Sequence, residues 1–340
     1  MKKLFLSLVA AMAATASFAQ SSLLATLSHE GNISTYYGAT ALRAAHEAAA
    51  DGDIITLSSG TFNSVEITKG ITIRGAGMDV DPTTQSEPTI ITGDFNVSIP
   101  KTTTSPLTIE GIYSDYKMYV TDTLRNATFL KSRFRKIDSQ SSKYPFINMT
   151  LIHCKVSELL YAVKLSTINC INCIINNPYC NDGYQSVFEM TNCVIFKGNV
   201  GSQLYASTFK NCIFIGNDGG NNFFNYYYGP NAVYNCVGAD DNTEHNFFQR
   251  IQNTTNSMAT YANVFKTCKD GTYSDSETFE LTDAAKTQFL GTDGTQVGIH
   301  GGSMPFSITP SNPQITKANV AAKSTADGKL SIDITVKGAE

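Results

Sequence analysis

Arg133, Arg135, His153 and Lys155 fall on two stretches about twenty residues apart, and Tyr113 lies one such interval upstream. Cationic side chains spaced this way gain meaning only if the chain stacks on itself with that period. They would then form one group, with guanidinium forks matched to carboxylates. A Tyr, His, Lys or Arg beside them would serve to take the proton α to a carboxylate. A solvated face balanced by Asp115, Asp138 and Glu158 is the structural alternative. A second group lies in the loop GGNNFFNYYYG, residues 219–229. There Tyr226, Tyr227 and Tyr228 are candidates to stack on sugar rings, and Asn222 and Asn225 to read hydroxyls. The alternative has Phe223 and Phe224 plugging the core while the tyrosines pack on the outer wall.

The period itself is written in Asn and Cys. INC, TNC and KNC place Asn172-Cys173, Asn192-Cys193 and Asn211-Cys212 at intervals of about twenty, each heading an apolar run. Cys154 and Cys236 extend the series. Self-similarity at this period takes precedence over local propensity. No long amphipathic segment lies between residues 54 and 240, and no leucine-rich signature is present, so each repeat is read as one coil of a parallel β-solenoid. About ten strands share the beat. Asn tolerates left-handed backbone angles at a turn, and stacked Asn amides bond to one another; the Asn is therefore placed at the corner and the Cys just inside it. Free Cys packs as a small hydrophobe, so the five periodic cysteines are read as thiols, with Cys170, Cys180 and Cys268 left open.

Strand side chains alternate. With Cys193 and Ile195 inward, the outward column reads Tyr113, Arg135, Lys155, Ile174, Val194, Ile213 and Val237, with Arg133 and His153 one position earlier. Four stacked outward aliphatics would leave an apolar patch that monomers avoid. A loop or the C-terminal hairpin is expected to cover it.

The ends differ from the middle. Met1-Lys2-Lys3, an apolar run to Ala16 and Ser17-Phe18-Ala19 have the form of a Sec signal peptide over residues 1–19, so the chain is expected to be exported to the periplasm, cell surface or medium. No further stretch is apolar enough for a transmembrane segment. Residues 20–305 are read as the solenoid with an Ala-rich capping helix near 39–51. Residues 306–340 are read as a Pro-containing connector and a β-hairpin about Asp327-Gly328. The net charge of −4 in 340 residues, only 16% of them charged, gives no basis for nucleic-acid binding. Neither a metal nor a cofactor is expected, and a monomer is.

Helix, then GDIITLSSGTF, then ITKGITIRGAG resembles the opening of right-handed parallel β-helix proteins of the pectin-lyase-like superfamily. TDGTQVGIHGG, residues 292–302, resembles the closing segment of secreted bacterial members, many from the Bacteroidetes. The resemblance implies an all-β, right-handed parallel β-helix and a polysaccharide or cell-surface glycan as partner. It does not decide activity, because the superfamily holds lyases, hydrolases and adhesins. The polygalacturonase pattern is reduced here to Asp240-Asp241 and Ile299-His300-Gly301-Gly302, too far apart for paired-carboxylate hydrolysis. No acidic cluster suggests a lyase calcium site. Two functions are therefore expected. The first is a non-catalytic exported protein that binds glycan or a surface partner along its long face. The second is a lyase of anionic, uronic-acid polysaccharide using Tyr113, Arg133, Arg135, His153 and Lys155.

Overall fold

The computed structural model describes residues 23–82, 85–141, 143–163, 165–180, 186–196, 206–216, 223–224, 231–249, 251, 255–311, 314–320, 327–329 and 331–337. It is an all-β parallel solenoid of about 9 turns. At ~4.8 Å per coil the stack is roughly 40 Å tall.

Each coil contributes one strand to each of two sheets. The first sheet has eleven strands and the second twelve. The first opens with an antiparallel hairpin, Leu24–His29 with Asn32–Tyr37, and Ile54–Leu57 pairs antiparallel to Leu24–His29. From there the strands run parallel through Thr72–Arg74, Thr108–Glu110 and their successors to Ala232–Tyr234. The second sheet runs from Gly60–Asn63 to Ser257–Ala259. The opening hairpin had no repeat signal in the sequence. The expected helix is present as α1, Ala41–Ala48, which buries Ala41, Leu42, Ala45 and His46 against the first coil. An apolar i, i+1, i+4 face of this kind can cover the open end of the core.

The corner between the two sheets explains the Asn-Cys beat. Gly111, Lys131, His153, Asn172, Asn192, Asn211 and Asn235 hold φ between 44° and 66°. This is the left-handed region, in which Gly, Asn and His are enriched. The next residue turns inward. Cys154, Cys173, Cys193, Cys212 and Cys236 are buried and free. Each sulfur lies 3.2–3.4 Å from the carbonyl oxygen two residues back. Ser132 occupies the same rung and donates to Leu130 O at 2.8 Å. Six of these rungs thus hold a small side chain with a donor, five of them the more apolar Cys, while Ile112 fills the rung after Gly111.

Phe129, Phe134, Phe209 and Phe214 fill the interior with edge-to-face contacts. Phe223 and Phe224 join them, with Phe224 5.1 Å from the Phe214 ring, so these two do plug the core.

The outward aliphatic column, Ile174, Val194, Ile213 and Val237, is buried in a second apolar cluster with Val264, Phe265, Phe279, Leu281, Phe289 and Ile299. The cover is the segment from about 259 to 306, with short helices α2, Tyr261–Val264, and α3, Asp283–Gln288. Gln314–Val320 and Ile332–Lys337 do form an antiparallel hairpin, but they pair with each other. Of the two covers expected, the loop is the one found.

Candidate functional site

The register differs from the expected one at one residue. Tyr113 pairs with Arg133, and Arg133 with Lys155. Arg133 pairs with Lys155 across 22 residues, more than the beat of about twenty, so Arg135 falls two residues past that column. His153 is two residues before Lys155, at the left-handed corner. The outward column is therefore Tyr113, Arg133, Lys155, Ile174, with Arg133 in the place expected for Arg135. A fixed period cannot anticipate this, because successive coils differ in length: Tyr113 and Arg133 are 20 residues apart, Arg133 and Lys155 22.

Three of the five cluster residues meet. The Arg133 guanidinium lies 4.3 Å from the Tyr113 ring centroid. Its Nη1 donates to Asp79 Oδ1 at 3.2 Å and its Nη2 to Asp275 Oδ2. Lys155 Nζ donates to Asp79 Oδ2 at 2.8 Å and to the Asp275 carbonyl oxygen at 3.1 Å. Tyr273 OH donates to Asp275 Oδ1 at 2.7 Å, and burial, then that hydrogen bond, push its pKa up. The set is two cations against two carboxylates, with Lys155 buried. Removing Asp79 leaves the buried Lys155 ammonium without a carboxylate, the kind of change that costs about 3–5 kcal/mol. Asp79 and Asp275 are 54 and 142 residues from Arg133, and no local signal marks either.

The other two diverge. Arg135 Nε pairs with Glu158, which Lys136 also holds at 3.1 Å; this is a solvated contact of the kind worth little. His153 Nε2 lies 3.0 Å from Met304 O, its ring tilted against Phe306 at 6.0 Å. Burial lowers its pKa.

Three of the corner asparagines, Asn172, Asn211 and Asn235, hold the C-terminal segment instead of one another. Asn235 Nδ2 donates to Leu290 O at 2.9 Å, and Asn211 Oδ1 accepts from Thr292 N at 2.8 Å. Asn172 Nδ2 donates to Ile299 O at 2.8 Å and to Gly301 O at 2.9 Å. Ser311 then donates from N and Oγ to Glu110 Oε1. Residues 290–311 thus form a strap running back down the corner edge, antiparallel to the order of the coils. An Asn–Asn rung occurs on a different edge, where Asn148 Nδ2 donates to Asn126 Oδ1 at 3.2 Å.

A polar trough lies on the outer face of the first sheet. Thr150, Asn169, Glu189 and Thr208 stack in register. Beside them runs Ile152, Ile171, Thr191 and Lys210. Two depressions, about 360 and 330 Å³, share Asn169 and Glu189 and so join into one groove. Its first column stands three residues before each corner residue, so the repeat that located the corners also contains the trough.

Asn222, Asn225, Tyr226, Tyr227 and Tyr228 lie outside the described residues. Asp240 Oδ2 holds His245 Nδ1 at 2.8 Å, Asp241 Oδ1 accepts from Tyr261 N at 3.1 Å, and His300 Nε2 lies 2.8 Å from Thr278 O. Among the described residues no group of three or more His, Cys, Asp or Glu is arranged to hold a metal ion. No described helix is long and apolar enough to cross a membrane. No family model, curated protein or solved structure matches the chain.

Proposed function

We propose that the chain is an exported, non-catalytic, pectin-lyase-like β-helix protein that binds glycan along its long face. The supporting observation is the trough on the first sheet. It carries hydroxyl, amide and one carboxylate acceptor at successive coils, with aliphatic Ile152 and Ile171 beside them. Polar groups at regular spacing next to apolar surface suit sugar hydroxyls and the apolar faces of sugar rings. The ~4.8 Å coil rise sets that spacing.

The lyase reading draws on the convergence of Tyr113, Arg133 and Lys155. Against it stands the engagement of that group: both ends of the Arg133 fork and the Lys155 ammonium already have carboxylate or carbonyl partners. A substrate carboxylate would have to displace Asp79 or Asp275.

The test is residues 20–340 on a glycan array, with absorbance at 235 nm followed on uronate polysaccharides. Binding that falls at least tenfold in Asn169→Ala/Glu189→Ala, about 1.4 kcal/mol or more, and is kept in Arg135→Ala supports the trough. Binding untouched by the trough substitutions places the ligand elsewhere. Rising absorbance that Lys155→Ala abolishes establishes the lyase instead.

A further inference from the structure

Strand Asn32–Tyr37 is the outer edge of the first sheet, and Leu24–His29 is its neighbour on the inner side. Edge strands offer a row of unpaired N–H and C=O groups, and proteins usually blunt them with Lys, Pro, a bulge or a covering segment. This one reads Asn-Ile-Ser-Thr-Tyr-Tyr, without charge or proline, and its six register pairs run without a bulge. Ile33 is 72% exposed and Tyr37 65%, the two most exposed large hydrophobics among the described residues. The opposite edge is treated differently: beside Ala232–Tyr234, Asn256 Nδ2 donates to Val233 O at 3.0 Å and Thr255 Oγ1 accepts from Asn235 N at 3.0 Å.

The two faces of the edge strand follow from its partner. Tyr36 and Ser34 stand opposite Ala25 and Leu27, which are buried in the core. Alternation places Ile33, Thr35 and Tyr37 on the outer face. We propose that this strand pairs antiparallel with the same strand of a second copy of the chain, about a two-fold axis through Thr35. Residues directly opposite in an antiparallel pair share a face, so the axis must pass through a residue. An axis through Ser34 leaves Tyr37 without a partner, and one through Tyr36 leaves Ile33 without one. The Thr35 axis sets Ile33 against Tyr37 twice, Ser34 against Tyr36 twice, and Thr35 against itself. Aromatic with β-branched and Thr with Thr are favourable cross-strand pairs, and no like charges are opposed.

The strand is thus complementary to itself, as an isologous two-fold interface requires. Pairing joins two eleven-stranded sheets into one of twenty-two (11 + 11). It stacks the solenoids with their N-terminal coils together and leaves the trough of each copy on the outside. The chain expected to be a monomer becomes a dimer, independently of what the trough binds.

The test is sedimentation velocity of residues 20–340 over about a hundredfold range of concentration, since a dimer reveals itself by mass action. A concentration-dependent dimer is expected, with its dissociation constant raised at least about tenfold by Ile33→Lys/Tyr37→Lys. Far-ultraviolet circular dichroism reports that the variant remains folded. Thr35→Cys fixes the register, because directly opposed Cα atoms lie about 4.5–5.5 Å apart, within disulfide range. Oxidised Thr35→Cys should run as a covalent dimer, while Ser34→Cys alone should not and the wild-type chain serves as control. A monomer throughout the range, a dimer indifferent to the two lysines, or equal cross-linking through Ser34→Cys overturns the proposal.

Discussion

His46 shows how one buried side chain carries a pH dependence for the whole fold. It lies on the inner side of helix α1, where its Nε2 accepts from Thr68 N at 3.2 Å. Burial, and then the neighbouring Lys69 ammonium, lower its pKa from 6.5 to about 4. The folded state therefore binds fewer protons than the unfolded chain between those values. Stability must rise with pH there, and it is lost as pH falls from 6.5 toward 4. His153 adds to the same trend, because burial lowers its pKa as well. His29 opposes it. Its hydrogen bond to Asp53 raises its pKa, so its contribution is full below 6.5 and fades as pH rises through the folded value. The ring is solvated, so this term is small. In His46→Gln the melting temperature should fall less steeply between pH 6.5 and 4 than in the wild-type chain. Parallel curves in a thermal scan would show that the ring titrates with its ordinary value.

At the scale of elements, the corner and the strap depend on one residue type. The asparagines at 172, 211 and 235 supply both the left-handed turn and the hook that holds residues 290–311. Asn172→Gly separates these tasks, since Gly keeps the positive φ and removes the amide. It should cost about 1–3 kcal/mol from two lost hydrogen bonds to buried carbonyls, read as a shift in denaturant midpoint. A neutral Asn172→Gly would mean that apolar packing alone holds the strap. The solenoid, its corners and the Cys rungs were legible because a coil repeats, so each position is written several times over. The strap and the lid were legible only as a need: four stacked aliphatics required a cover, but its identity depends on contacts such as Asn172 with Ile299, made once. Arg135 was misplaced for a related reason, since the coil from Arg133 to Lys155 is longer than the beat and that excess occurs once. Asp79 and Asp275 stayed hidden because a buried cation demands a counter-charge without saying where in the chain it comes from.

For the whole molecule, the strap changes how the stack should come apart. A solenoid whose coils touch only their neighbours unfolds as a chain of coupled units and can fray from an end. Here residues 290–311 tie the coil of Asn235 to that of Glu110 across the coils between them. The final coils are the ones most exposed to fraying, and they are the ones the strap and the second apolar cluster hold. Buried thiols report on this directly. Burial raises the pKa of Cys173, Cys193 and Cys212 well above the usual thiol range, and a buried, protonated thiol is inert until its coil opens. In the wild-type chain, labelling of these cysteines through a urea titration should coincide with the loss of β-sheet circular dichroism, as one transition. In Asn211→Gly/Asn235→Gly the hooks on the coils of Cys212 and Cys236 are gone while the corners remain. Labelling should then begin at lower urea than the circular dichroism transition and start with Cys236 and Cys212, as mass mapping of the modified peptides would show. Early labelling in the wild-type chain would mean that neighbouring coils hold one another no more tightly than an unstrapped stack. Coincident transitions in the double variant would assign the cooperativity to the continuous phenylalanine core instead.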